Sequence, residues 1–277
     1  MTDEFFAAYE TLLKRWPSGT ESFTLSSPYG STQVHACGHV DAPPVLLIPG
    51  GGATSTVWTA VAGSLARSRR VYAVDLPGDA GRSAAQGRPM RTVEDATGWF
   101  DTVLDGLDVP AAQVCGHSYG GWLSLAYAAH APHRVSRLAL LDPTDCFTGM
   151  RPRYLLHALP SLLIPSPART RAFLRWETAG LPVDREWLEV AALAAQLPRP
   201  RIVMPKRPRP ENLRQVTAPT LVLLAEHSRT HDIREVAEAA RRSVPAVTTA
   251  VVPGTSHHSL PFGIDLDRLL PAFLAEG

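Results

Sequence analysis

Gly116-His117-Ser118-Tyr119-Gly120 joins two stretches of opposite character. Before it, Ala111-Ala112-Gln113-Val114-Cys115 is a short apolar run of strand type; after it, residues 122–130 follow a helical pattern. Strand, tight turn and helix in that order make G-x-S-x-G specific where the bare pattern is weak. A serine on so sharp a turn holds strained backbone, and side chains two before or two after it would collide with neighbouring strand and helix. The helix starting behind Ser118 also puts a partial positive charge where an oxyanion would form. An ordinary strand-to-helix turn of small residues is the plainer alternative.

Outward from this turn, strand-like runs fall at 23–25, 33–37, 45–48, 70–74, 112–115, 135–141, 220–225 and 249–252. Helical patterns occupy 4–16, 56–67, 92–107, 122–130, 233–242 and 266–274. From the third run onward the two types alternate and the strands are near-continuously apolar. That combination predicts an α/β protein with a mostly parallel eight-stranded sheet and helices on both faces. Between the sixth and seventh strands about sixty residues carry no strand pattern and read as helices over 154–163, 168–179 and 184–197, followed by a proline-punctuated basic connector at 198–210. A structureless loop of that length would be out of place in a compact domain.

Four further segments, with the serine turn, give the chain a resemblance to the α/β-hydrolase fold superfamily over nearly its whole length. Leu46-Leu47-Ile48-Pro49-Gly50-Gly51-Gly52, with Trp58 beyond, resembles the family's oxyanion segment. Val71-Tyr72-Ala73-Val74-Asp75-Leu76-Pro77-Gly78 and Gly81-Arg82-Ser83 resemble its fourth strand and the turn after it. Leu221-Val222-Leu223-Leu224-Ala225-Glu226 resembles its seventh strand, and Val251-Val252-Pro253-Gly254-Thr255-Ser256-His257 its last strand and histidine loop. The resemblance implies a hydrolase core over 1–145 and 211–277 and a helical cap, or lid, inserted at 146–210. It implies a serine hydrolase of carboxylic esters or thioesters working through a Ser-His-acid triad, an oxyanion hole and an acyl-enzyme. Two other readings stand beside it. One is a lyase, cyclase or acyltransferase that keeps the fold and the Ser-His pair without hydrolysis. The other is a non-catalytic ligand-binding protein, against which an intact Ser118 and His257 weigh.

Ser118 is the candidate nucleophile, and a serine hydroxyl needs a base within hydrogen-bond reach. His257 and His258 are adjacent candidates; the family's spacing from the last strand selects His257 and leaves His258 as a loop-packing or pocket residue. His117 flanks the serine and orders the turn, while His227, His231, His130 and His133 fall at helix ends or loops. Tyr119 supplies one backbone N–H to the oxyanion hole and Gly51 the other, although Pro49 stands where the family usually has histidine. The acid stays open. Ser228 occupies the position where the family usually has aspartate. Asp142, ending the sixth strand, is favoured, as in haloalkane dehalogenases and pancreatic-type lipases. Asp232, which reads as a helix N-cap, comes next and Glu226 third, with Asp145 or no carboxylate as further possibilities.

Composition narrows the rest. The chain has 277 residues, 45% of them hydrophobic, and a formal charge of +1, so nothing global points to nucleic acid. Cys37, Cys115 and Cys146 lack disulfide or metal spacing, and no histidine pair has it, so neither a metal nor another cofactor is expected. No run reaches the length of a membrane span and the N-terminus has no apolar signal region, which predicts a cytoplasmic protein without a membrane partner. Residues 151–215 carry 12 Lys/Arg against 5 Asp/Glu. A solvated face with packed aliphatic stems is the plain account; the functional one is a small acyl substrate that is anionic or carrier-bound.

The acid assignment is checked by three variants. Asp142→Asn should lower kcat by up to about ten-thousandfold, the loss known for a serine-protease triad. Asp232→Asn should cost about 1 kcal/mol of stability with little change in turnover, and Glu226→Gln should change little. A dead Asp232→Asn beside a normal Asp142→Asn reverses the assignment.

Overall fold

The computed structural model describes residues 2–198 and 202–275. Its sheet has eight strands in the order β1-β2-β4-β3-β5-β6-β7-β8. They are β1 (Glu21–Ser27), β2 (Gly30–Cys37), β3 (Pro44–Ile48), β4 (Arg70–Val74), β5 (Ala112–His117), β6 (Val135–Leu141), β7 (Thr220–Ala225) and β8 (Val247–Val252). β2 runs antiparallel to both β1 and β4, and every other neighbouring pair is parallel. Burial follows position. All six residues of β7 are buried between layers, whereas edge strand β1 alternates between exposed and half-buried positions.

Helices cover both faces: α1 (Thr2–Leu13), α2 (Thr59–Ala66), α3 (Val93–Gly106), α4 (Tyr119–His130), α5 (Pro152–Leu163), α6 (Pro167–Thr178), α7 (Arg185–Ala194), α8 (Pro210–Leu213), α9 (Ile233–Ser243) and α10 (Leu266–Ala275). On one face Trp99, Phe100, Trp122 and Tyr127 pack against β3, β5 and β6, with Phe100 and Tyr127 stacked at 4.0 Å between ring centroids. On the other, Phe5, Tyr9, Trp58 and Leu65 share a core with Leu174, Trp187 and Val190 from α6 and α7. Helices α6 and α7, between β6 and β7, therefore continue the second core, whereas Leu213 of α8 joins the first. Arg15, just past α1, clasps this group from outside through Asp184 at 2.6 Å and Glu186 at 3.0 Å. None of the described helices is long and apolar enough to cross a membrane.

The element pattern matches the sequence expectation in order and type, with adjustments at the ends. The helix expected over 184–197 is Arg185–Ala194, capped by Asp184, whose carboxylate accepts from Trp187 N–H. The one-turn helix α8 carries no periodicity and was not anticipated. Of the basic connector, residues 199–201 lie outside the described part. Beyond them Val203 is buried beside Leu76 and Tyr119, and the Lys206 carbonyl accepts from the Trp122 indole at 2.9 Å, so the connector returns into the core.

Gly120 shows how tightly the central turn is set into this sheet. A Cβ added there would lie 2.4 Å from the carbonyl oxygens of both Ile48 and Pro49, at the end of β3. One added at Gly116 would lie 2.2 Å from the Gly120 carbonyl. Gly120→Ala should accordingly destabilise the protein by about 1–3 kcal/mol or more, as overpacking against rigid backbone does; a urea midpoint equal to the parent's would show that β3 yields.

Candidate active site

The end of β5 and the start of α4 leave one residue to turn the chain, and Ser118 takes φ 53° and ψ −117° to do it. Positive φ is costly for a residue with a Cβ, so surrounding bonds must hold it. They do: Ser118 N–H donates to the Leu141 carbonyl at 2.9 Å, and the Ser118 carbonyl accepts from Trp122 N–H at 3.1 Å. β5 and β6 are direct neighbours in which His117 pairs with Leu141. The next residue on each strand is therefore Ser118 on one and Asp142 on the other.

Between them stands His257, from the loop after β8. Its Nδ1 lies 2.7 Å from Asp142 Oδ2 and its Nε2 2.9 Å from Ser118 Oγ. A carboxylate only accepts, so Nδ1 carries the proton and the Nε2 lone pair faces the serine hydroxyl. Asp142 is fully buried and has four partners. Beyond His257 it accepts from Ser228 Oγ at 2.7 Å, from His231 Nε2 at 2.9 Å and from Ala225 N–H at 3.2 Å. Burial alone would raise its pKa; the His231 and His257 imidazoles override that and hold the carboxyl well below the usual range.

The other candidate acids lie elsewhere. Asp232 caps α9, accepting from Arg234 N–H at 3.0 Å, and pairs with Arg151 at 2.8 Å. Glu226 points to the outside of the loop and accepts from Gly254 N–H at 2.8 Å. Neither approaches His257, because each is spent on the turn that it terminates. Asp145 is half-buried and makes no contact with the imidazole. The plain reading of His231 needs correction: this imidazole is buried against the Asp142 carboxylate.

His117 is neutral in the fold, since burial, aided by His257, lowers it to about 3; it donates Nε2–H to the His257 carbonyl at 2.9 Å and so steadies the base's own backbone. His258 packs between Trp187 and Phe173 and lines the adjoining cavity, as a pocket residue should. Gly51 faces Tyr119 closely, with an added Cβ 3.6 Å from the Tyr119 Cβ. No backbone acceptor among the described residues takes the N–H of either. The next glycine is pinned, because Gly52 N–H donates to Asp79 Oδ2 at 2.8 Å. Burial raises Asp79 to about 6.

Glu177, at the end of α6, went unnoticed in the sequence. It is fully buried and accepts from His257 N–H at 3.0 Å, His258 N–H at 3.3 Å and Ser256 Oγ at 2.9 Å. A helix of the inserted group thus holds the backbone of the histidine loop. Its signal in the sequence was faint: it is the first acid after Asp145, in an otherwise basic stretch. A cavity of about 400 Å³ opens beside Gly51 and His258, floored by the 51–54 loop and walled by Leu162, Phe173, Leu174 and Trp187.

Comparison with known proteins shows the family and the fold. A family model described as the alpha/beta hydrolase family matches residues 45–268. Carboxylesterase YbfK of Bacillus subtilis is 26% identical over 262 residues, covering 91% of this chain and 87% of that one. The uncharacterized carboxylesterase nap of the same organism is 27% identical over 261 residues, covering 91% and 86%. The crystal structure of carboxylesterase CesB (YbfK) superimposes with a TM-score of 0.90 at 25% identity over 99% of this chain and 98% of that one. Naproxen esterase from Bacillus subtilis gives 0.88 at 25% identity over 98% and 97%.

Glu177→Gln should lower kcat/KM by about tenfold or more, because hydrogen bonds to a charged acceptor contribute about 1.5–3 kcal/mol. Burial, opposed by His257 and Ser256, raises this carboxyl above its ordinary value of 4.5. Above that value the unfolded chain releases the proton first, so the parent loses this share of stability as pH rises toward the folded value. The stability gap between parent and variant should therefore narrow from pH 4 to 7. A constant gap in urea titrations would place Glu177 outside the linkage.

Proposed function

The chain belongs to the alpha/beta hydrolase family, and from that premise we propose that it is a carboxylesterase acting through an acyl-enzyme on Ser118. The observation that carries the reading is the continuous line from Asp142 Oδ2 through His257 to Ser118 Oγ, at 2.7 and 2.9 Å. Ser118 Oγ attacks the acyl carbonyl as His257 Nε2 takes its proton. Asp142 fixes the tautomer and stabilises the imidazolium. The Gly51 and Tyr119 N–H groups receive the oxyanion, with the start of α4 adding its partial charge. His257 then gives the proton to the leaving oxygen, and water, activated by the same nitrogen, releases the acid.

Residues 146–210 act as the lid over a core formed by 1–145 and 211–277. The cavity beneath it is walled by aliphatic and aromatic side chains, which suits an apolar acyl group or alcohol; the arginines lie outside. The contacts that Asp142 makes take away the reason for preferring a lyase or cyclase, which was the want of an acid for His257.

Ser118→Ala should stay folded while kcat on a p-nitrophenyl ester falls by several orders of magnitude, roughly 10³ to 10⁶, because such residues act as a unit. A fluorophosphonate probe should label the parent and not the variant. An unlabelled parent would mark a binding protein, and a folded Ser118→Ala with undiminished kcat would remove the acyl-enzyme.

A further inference from the structure

Helix α5 turns its apolar side outward. Tyr154 and Ala158 face the core, whereas Leu155, Leu156, Leu159, Leu162 and, just beyond the helix, Ile164 are between 44% and 66% exposed. The helical positions fall at i, i+1, i+4 and i+7, a single stripe. Isolated exposed leucines are ordinary, but a contiguous stripe of this length marks a surface that something covers.

Charge says what covers it. Residues 146–176 contain five arginines and no aspartate or glutamate. Arg151 is paired with Asp232 and Arg171 with Glu189. Arg153, Arg169 and Arg175 pair with no carboxylate among the described residues, and Arg169 donates from Nη1 to the Ile164 carbonyl at 3.1 Å.

Arg153 lies in the first turn of α5 and Arg169 reaches the carbonyl just past its last residue, so the two bracket the stripe.

A second copy of the chain would set these arginines against themselves across a two-fold axis, which disfavours self-pairing. An apolar stripe flanked by cations without intervening acids has the complementarity of an anionic lipid–water surface. The stripe also adjoins the cavity, since Ser161, Leu162, Pro165 and Thr170 line its mouth. We propose that α5 docks the protein on an anionic lipid surface and that its apolar ester substrates pass from that surface into the cavity. This departs from the sequence expectation of no membrane partner, which rested on the lack of a spanning-length run and of a signal region; this helix would lie on the surface and not cross it. The substrate clause rests on the esterase reading, whereas the docking clause does not.

Co-sedimentation with phosphatidylcholine vesicles, with and without phosphatidylglycerol, tests docking directly. The full-length protein should bind the phosphatidylglycerol vesicles, and salt should weaken binding because the attraction is screened. Leu156→Glu/Leu159→Glu, at positions outside the cavity lining, should reduce that binding by at least about tenfold. It should leave kcat/KM on a soluble short-chain p-nitrophenyl ester unchanged, and the retained turnover shows that the variant folds. Arg153→Gln/Arg169→Gln should flatten the salt dependence. Binding to neither vesicle overturns the proposal, as does a parent dimer that the leucine substitutions dissociate, or binding of the leucine variant equal to the parent's. Vesicle binding without hydrolysis of the soluble ester would leave docking in place and remove the esterase reading instead.

Discussion

A carboxylate taken wholly out of water is costly unless its oxygens are satisfied, and the site is organised around meeting that demand at Asp142. Two imidazoles, one hydroxyl and one backbone N–H converge on it, from the loops after β7 and β8 and from β7 itself. These contacts tie three neighbouring strand ends together, so His257 is oriented by the same interaction that makes the buried charge tolerable. Ser228 is instructive. It stands where the sequence resemblance leads one to look for a carboxylate, and here its hydroxyl donates to Asp142, one strand over.

The inserted helices are part of the same arrangement. Two of them, α6 and α7, share a core with α1, α2 and α10 rather than resting on the domain as a separate layer. Glu177 takes the N–H groups of His257 and His258 from above, while His117 holds the His257 carbonyl from below. The base is fixed through its backbone on two sides and through its ring on two more. Through Glu177, α6 is joined directly to the histidine loop.

Much of the fold was legible because its signals are local. Apolar runs bounded by glycine and proline marked the strands, and the switch to helical period marked what lies between them. The serine turn was legible for the same reason, since Gly116 and Gly120 answer to steric demands within a few residues. Asp142 could be preferred because Ser228 left the usual position without a carboxylate. His231 and Glu177 were not legible. Each acts through a partner far along the chain, Asp142 in one case and the 256–258 loop in the other, and nothing in the flanking residues announces a tertiary contact. The short helix α8 and the inward return at Val203 escaped because their stability comes from packing and not from propensity.

The adjacency of β5 and β6 has a consequence for how the arrangement tolerates thermal motion. Ser118 and Asp142 extend neighbouring rungs of one hydrogen-bonded ladder, so their separation is as stiff as the sheet. His257 hangs from the loop after β8 and is the one member that this ladder does not carry, so its place depends on the contacts to Glu177 and His117. Misalignment is therefore concentrated in a single coordinate, the swing of that loop, instead of being spread over three independent side chains. A molecule so arranged keeps two of its three members in register through the backbone ladder and leaves only the third to side-chain contacts.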